Sequence, residues 1–253
     1  MSTLPEAIAA HLRAAKSMLV LSGAGMSAES GIATFRGTRG GLWSDFNPGD
    51  LATPEAWARD PALVWGWYLW RMAGVRQAEP HPGYDALAEL ARRVPQLHIV
   101  TQNVDDLHQR AGLHDVIHLH GELFAHRCSV CGQPEPDVLI PEAQAEQPER
   151  EVPPPRCRDC GGPIRPGVVW FGESLPETAW NRAVVLAGQC ELMLVIGTSG
   201  VVHPAAGLPA MARRAGATII EINPEETELS AAADFCLRTP AAEGLAICLA
   251  ARG

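Results

Sequence analysis

The sequence lacks a surplus of basic residues: 20 lysines and arginines face 29 acids, giving a net charge of −9. Binding a phosphate backbone requires a cationic face, so no direct nucleic-acid partner is expected. Long apolar runs are missing too. None approaches the ~20 residues of a membrane-spanning helix, so no membrane partner is expected. The start, Met1-Ser-Thr-Leu-Pro-Glu6, has no basic segment ahead of an apolar one, and no secretory signal is expected. A disulfide framework is then not expected either. The seven cysteines read as reduced thiols or metal ligands in a cytoplasmic protein. No internal repeat is visible.

What is present is a chain of 253 residues, 47% hydrophobic, enough for one sizeable core and a small second lobe. Short apolar runs at Met18–Leu21, Leu97–Thr101, Val116–Leu119, Val168–Phe171, Leu192–Ile196, Thr218–Ile222 and Phe235–Leu237 predict strands. Several are apolar on both faces, as in a parallel sheet covered on both sides. Helical patterns at Tyr84–Arg93, Thr178–Ala187 and Ala205–Ala215 lie between them. The alternation predicts an α/β fold, a doubly wound parallel sheet. A Trp-rich helical stretch near 40–75 and a Cys- and Pro-rich stretch near 123–165 interrupt the pattern. They read as insertions forming a smaller helical and zinc-binding lobe, with a mobile loop over 133–155. The expected division is 1–39, 76–122 and 166–253 for the sheet domain, and 40–75 with 123–165 for the lobe.

The first predicted strand runs into Ser22-Gly-Ala-Gly-Met-Ser-Ala-Glu-Ser-Gly31, where Gly23, Gly25 and Ala28 fit a dinucleotide phosphate loop. Glycines let backbone N–H groups approach a pyrophosphate at a helix start. A tight turn without a ligand is the bland alternative. No second strand ending in a ribose-binding acid follows, so hydride transfer in the usual pose is not expected.

Cys128-x-x-Cys131 and Cys157-x-x-Cys160 form two knuckles separated by 25 residues. Two such turns place four thiolates around one tetrahedral Zn²⁺, with no open position for water, so the metal should be structural. A redox pair is the rival reading. Cys190, Cys236 and Cys248 sit in apolar surroundings and read as small core residues.

Polar residues gather after predicted strands: Thr101-Gln-Asn-Val-Asp-Asp-Leu-His108 and His118-Leu-His-Gly121. Ligands of open α/β sheets bind at the carboxyl ends of strands, where Gln102, Asn103, Asp105 and His120 could converge. His120, at a strand end before glycine, is the better placed of the two histidines for general-base work.

These segments closely resemble the sirtuin family. Gly23-Ala-Gly-Met-Ser27, Gly31-Ile-Ala-Thr-Phe-Arg36, Thr101-Gln-Asn-Val-Asp-Asp-Leu-His-Gln-Arg-Ala-Gly112 and His120-Gly121 look like successive sirtuin motifs. The four-cysteine module, Val169-Trp-Phe-Gly-Glu173, Gly197-Thr-Ser199, Val202-His-Pro-Ala205 and Ile222-Asn223 continue the series in order. Ala33 departs from a common Pro, and His203 from a common Tyr.

The resemblance implies a Rossmann-like domain with a zinc and helical lobe, acting as an NAD-dependent protein lysine deacylase, with NAD as co-substrate, one structural zinc ion and acyl-lysine-bearing proteins as partners. It further implies that Gly23, Ala24, Gly25, Phe35 and Arg36 enclose NAD. Gln102, Asn103 and Asp105 would bind the nicotinamide and ribose part, and Gly197, Thr198, Ser199, Asn223 and Ala241 the adenosine end. Phe171, Gly172 and Glu173 would border the peptide channel. His120 would be the base that lets a ribose hydroxyl attack the acyl carbon, yielding nicotinamide, free lysine and O-acyl-ADP-ribose. A mono-ADP-ribosyltransferase and a non-enzymatic NAD sensor are the alternatives. Tyr68 and Arg71, at i, i+3 in Val64–Met72, resemble the pair of class III sirtuins that remove succinyl and malonyl groups. A guanidinium offers a carboxylate a bidentate fork. Packing on an amphipathic helix is the alternative for this pair, and deacetylation would remain possible.

Overall fold

A computed structural model describes residues 4–34, 46–138 and 151–253. Its centre is a six-stranded sheet built from β1 (Ser17–Ser22), β2 (Gln96–Thr101), β3 (Val116–His118), β6 (Leu192–Ile196), β7 (Thr218–Ile222) and β8 (Phe235–Leu237). The spatial order is β3-β2-β1-β6-β7-β8, and every neighbouring pair is parallel. The chain therefore winds outward from β1 in one direction and from β6 in the other. The crevice between the two halves is the switch point at which such sheets take ligands.

Both faces are covered. On one, Leu12 of α1 (Glu6–Ala14), Leu87 and Leu90 of α5 (Pro82–Arg93) and Leu245 of α9 (Ala241–Arg252) pack on Val20, Leu194 and Ile220. On the other, Ala183 and Ala187 of α7 (Glu177–Ala187) and Leu208 and Ala212 of α8 (Leu208–Arg214) pack on Leu19, Leu21, Met193 and Val195. This double burial explains why β6 is apolar at every position, all five residues being buried.

The second unit holds α2 (Pro48–Leu51), α3 (Pro54–Arg59) and α4 (Pro61–Gln77). Each begins with an oxygen-bearing cap followed by proline. Asn47, Thr53 and Asp60 accept from backbone N–H groups of the first turn, and proline supplies an N1 residue that needs no partner. α4 buries Val64, Trp65, Trp67, Tyr68, Leu69 and Met72 against Leu123, Val168 and Trp170. The same unit contains a two-stranded antiparallel sheet, β4 (Gly121–Cys128) with β5 (Ile164–Val168).

That pair corrects one expectation. Val168–Phe171 is not a strand: β5 ends at Val168, and the next residues form the cavity wall described below. Gly121 and Gly167 allow the crossing, since a Cβ on Gly121 would stand 2.0 Å from the Gly167 carbonyl oxygen. A second correction concerns the turn after β1. Two single 3₁₀ turns, Ala24–Met26 and Ala28–Ser30, stand where a regular helix was expected. Of the 133–155 loop, residues 133–138 and 151–155 are free of helix; 139–150 lie outside the described residues, as do 40–45 of the Trp-rich stretch. Among the described residues no helix is long and apolar enough to cross a membrane.

Candidate active site

The carboxyl ends of five parallel strands open on one cavity of about 830 Å³. β1 contributes Gly23, Ala24 and Gly25, β2 contributes Gln102 and Asn103, and His120 follows β3. Gly197, Thr198 and Ser199 follow β6, and Asn223 follows β7. The small unit closes the other side with Tyr68 and Arg71 of α4 and with residues 168–173.

The glycines answer first to each other. A Cβ on Gly25 would meet the Gly197 Cα at 2.7 Å, and one on Gly23 would meet the Gly197 carbonyl oxygen at 2.8 Å. Gly25 N–H donates to that carbonyl at 2.8 Å, and Gly197 sits at φ 60°. Only residues without a side chain allow the loops after β1 and β6 to meet in this way. The contact leaves an open floor of backbone at the switch point.

His120 is half-buried, and its Nδ1 lies 3.0 Å from the backbone carbonyl of Gln102. A carbonyl can only accept, so Nδ1 carries the hydrogen and Nε2 keeps its lone pair. Burial pushes the His120 pKa below the ordinary imidazole value and so favours the neutral form, partly opposed by the Gln102 carbonyl. His118 differs. Its Nδ1 faces the Asn103 carbonyl at 3.0 Å and its Nε2 faces the Gln109 amide at 2.6 Å, so both ring nitrogens are engaged.

Behind the cavity floor runs a buried network. Ser27 Oγ donates to Asp105 Oδ2 at 2.9 Å, accepts from the Asn103 amide at 2.9 Å and lies 2.9 Å from the Tyr84 hydroxyl. Asp105 also accepts from the Leu107 N–H at 3.2 Å. Burial raises the Asp105 pKa against these bonds. Gln102 is held separately, its amide donating to Thr198 Oγ1 at 2.9 Å across the crevice.

The wall formed by residues 168–173 hangs on two main-chain bonds: Val169 N–H donates to the His120 carbonyl at 2.8 Å, and Phe171 N–H to the Ala52 carbonyl at 2.9 Å. Arg165 grips Glu173 with bonds of 2.6 and 2.9 Å. Although burial opposes it, that guanidinium holds the Glu173 carboxyl below its usual range. Phe171 is 42% exposed and Gly172 adopts φ 88°, so an apolar ring and bare backbone border the cavity mouth.

The four cysteines Cys128, Cys131, Cys157 and Cys160 bring their sulfurs within 4.8 Å of one another. Cys128 and Cys160 are 3.5 Å apart, and Cys131 and Cys157 are 3.7 Å apart. A tetrahedron with Zn–S bonds of about 2.3 Å has edges of roughly 3.8 Å, so the cluster has the size that zinc requires. Each knuckle is closed by a main-chain bond, Gly132 N–H to Cys128 and Gly161 N–H to Cys157. The Cys131 N–H, with help from Val130, pulls the Cys128 thiol down, toward the thiolate that binds metal, while desolvation and the neighbouring sulfurs push Cys131 and Cys157 up.

Residues 23–204 match the Sir2 family. The chain is a member of that family. A Pseudomonas aeruginosa protein named NAD-dependent protein deacylase 1 is 49% identical over 240 residues, covering 95% of this chain and 96% of that relative. An NAD-dependent protein deacylase of Methylococcus capsulatus is 50% identical over 248 residues, 97% and 96% of the two chains. The structure of a Sir2 homologue in complex with NAD superimposes with a TM-score of 0.87 at 44% identity, covering 99% of this chain and 95% of that one. A mutant Sir2 homologue bound to ADP-ribose gives 0.89 at 44% identity, with 98% and 97% covered.

In this Sir2 family member most residues singled out from sequence meet at the cavity: Gly23, Ala24, Gly25, Gln102, Asn103, His120, Gly197, Thr198, Ser199, Asn223, Tyr68, Arg71, Phe171, Gly172 and Glu173. Two do not. Asp105 turns its carboxylate into the Ser27 network, and the Ala241 methyl packs in the core between α9 and the sheet while its neighbour Pro240 takes the wall position. Phe35 and Arg36 lie outside the described residues. Sequence reasoning left Trp170 without a role, although it stands inside the Val169–Glu173 motif and forms part of the wall.

Proposed function

We propose that this chain is an NAD-dependent deacylase of protein lysine side chains, preferring succinyl and malonyl groups and also accepting acetyl. The single observation that carries the reading is His120. Its Nδ1 is tied to the Gln102 carbonyl, so a neutral imidazole meets the cavity at the sheet's switch point with Nε2 available as a base.

NAD lies across the switch point in this reading. Gly23, Ala24, Gly25, Gly197, Thr198, Ser199 and Asn223 take its phosphate and adenosine portions, with Phe35 and Arg36 enclosing it. Gln102 and Asn103 meet the nicotinamide and its ribose. Asp105 holds Asn103 through Ser27, and Ala241 supports the adenosine end from within α9. The acyl-lysine enters between Phe171-Gly172-Glu173 and α4. Its acyl oxygen forms a bond to the anomeric ribose carbon as the bond to nicotinamide breaks, and nicotinamide leaves. His120 then takes a proton from the ribose hydroxyls, and the resulting oxygen attacks the imidate carbon. Water completes the transfer, releasing the lysine amine and O-acyl-ADP-ribose.

The acyl preference rests on Tyr68 and Arg71, which share one face of α4 and both border the cavity. The Arg71 guanidinium lies 5.1 Å from the Trp67 ring centroid and 5.9 Å from that of Tyr68. Burial lowers the Arg71 pKa, opposed by the nearby Tyr68 and Asp105 groups, and an arginine so placed stays charged. A partly desolvated cation favours a terminal carboxylate over a methyl group. Zinc would be held by Cys128, Cys131, Cys157 and Cys160 and supplies shape to the lobe, not chemistry. Thiols kept free for a metal suit a reducing cytoplasm, and the acidic chain disfavours nucleic acid.

The test is mass spectrometry of products from matched acetyl-, succinyl- and malonyl-lysine peptides with NAD. Deacylated peptide with stoichiometric nicotinamide and O-acyl-ADP-ribose supports the reading. ADP-ribosylated peptide, or cleavage of NAD without deacylation, defeats it.

A further inference from the structure

The wall beside Tyr68 contains an indole whose polar edge is aimed at the phenol. Trp170 Nε1 donates to Tyr68 Oη at 3.0 Å, and both residues are buried. Among the described residues this is the hydrogen bond that the Tyr68 hydroxyl makes. A phenol has one hydrogen to donate and can accept at its oxygen, whereas an indole N–H can only donate. With its oxygen facing the Trp170 N–H, the phenol cannot direct its own hydrogen along that line.

The indole is itself fixed. Its backbone N–H donates to Glu173 Oε2 at 2.8 Å, and the Arg165 guanidinium lies 3.2 Å from its ring centroid. Arg165 is locked by Glu173 and by a 2.9 Å bond to the Val168 carbonyl. Trp57 packs alongside, with ring centroids 5.6 Å apart. Swinging the ring away from Tyr68 would forfeit its contacts with Arg165 and Trp57.

We infer that Trp170 is a positioning residue for acyl selectivity: its N–H occupies the Tyr68 oxygen and thereby turns the phenol O–H toward the cavity as a donor to the terminal carboxylate of the acyl group. The inference rests on the acidic-acyl reading of Tyr68 and Arg71. It adds that the donor direction of Tyr68 is set by a second residue of the cavity wall, Trp170. Burial keeps the phenol protonated, raising its pKa above the ordinary value, so the donor is present throughout the neutral range. An acetyl group has no terminal acceptor for this hydrogen, so the preset orientation acts on the acidic substrates alone.

The test compares kcat/KM for succinyl- and acetyl-lysine versions of one peptide in the full-length protein, as the ratio of the two. Trp170→Phe should lower that ratio roughly three- to tenfold, the size of one neutral hydrogen bond. The loss should reside in KM for the succinyl peptide, since Trp170 orients a binding group and not the base. In a Tyr68→Phe background the same substitution should no longer move the ratio, a non-additivity that a purely structural role would not produce. If Trp170→Phe does not fold, replacing the indole N–H by sulfur with benzothienylalanine keeps the ring's shape and removes only the donor, and the same drop is expected. An unchanged ratio in the folded variant, or an equal drop with and without the phenol, overturns the inference. Arg71→Met separates the two layers. If it lowers the ratio while the Trp170 variants do not, the positioning role alone falls; if it leaves the ratio untouched, the acidic-acyl reading falls and the positioning role with it.

Discussion

His120 Nδ1 and the Gln102 carbonyl oxygen lie 3.0 Å apart, joining the loop after β3 to the loop after β2. This contact selects one tautomer of the imidazole and holds its plane, while the two histidine nitrogens of His118 are spent inside the protein.

His120→Ala should therefore remain folded and bind NAD, yet lose deacylation by about 10²- to 10⁴-fold, the usual cost of removing a general base. His118→Ala should do the opposite. It strands the Asn103 carbonyl and the Gln109 amide, costing about 1–3 kcal/mol of stability with a much smaller drop in turnover. Melting temperature and kcat/KM measured on both variants check the pair. Equal inactivation of two folded variants would contradict the assignment.

The pH profile follows from the same environment. Burial lowers the His120 pKa, so the base stays neutral below the ordinary imidazole value. The acid limb of kcat/KM against pH should have its midpoint on the acid side of about 6.5. A midpoint at or above that value would show that the imidazole is not desolvated in the free enzyme.

Stability should carry a second pH signature. His108 is buried beside Ser22, and burial holds it neutral, with its pKa pushed down to about 3. An unfolded His108 takes up a proton near the ordinary value while the folded one does not, so the unfolded state gains protons as pH falls. Stability from this group is present above about 6.5 and is lost at about 1.4 kcal/mol per pH unit down toward the folded value. Denaturant unfolding at pH 7 and pH 5 should show the loss, and His108→Gln should flatten it.

The zinc cluster predicts coupled losses. Elemental analysis should find one zinc per chain, and each of Cys128, Cys131, Cys157 and Cys160 changed to Ala should lower metal content, solubility and activity together. Cys190→Ala, at a buried position in the core cluster under α7 and α8, should leave metal content intact. A metal-free protein with full activity would rule out the structural role.

Arg71→Met keeps most of the apolar stem and removes the charge. Desuccinylation should fall by roughly ten- to a hundredfold relative to deacetylation, the range expected for a hydrogen bond to a charged group. Tyr68→Phe should move the ratio the same way by less. An equal fall in both activities would make Arg71 a packing residue.

Much of the parallel sheet could be read directly. Leu192–Ile196, Thr218–Ile222 and Phe235–Leu237 were expected as strands with the bounds they have, because short runs dominated by apolar residues between helical patterns admit few other arrangements. The β4–β5 pair was not legible. Pro166 and Gly167 interrupt β5, and its partner lies on the far side of both cysteine knuckles, so the pairing leaves no local period.

By itself the sequence determined the chemistry available: four thiols at metal spacing, glycines where backbones must meet, and one histidine at a strand end before glycine. These are properties of residue type and short spacing, which local sterics translate directly. Only the tertiary structure decided which polar groups face the cavity. Asp105 points inward because Ser27 and the Leu107 N–H satisfy it there, and His120 faces outward because one of its nitrogens is tied down. Trp170 meets Tyr68 across 102 residues of chain, a contact fixed by the Arg165–Glu173 clamp and by packing against α4. Hydrogen bonds between residues so far apart depend on how the elements pack, and that packing is a property of the whole fold.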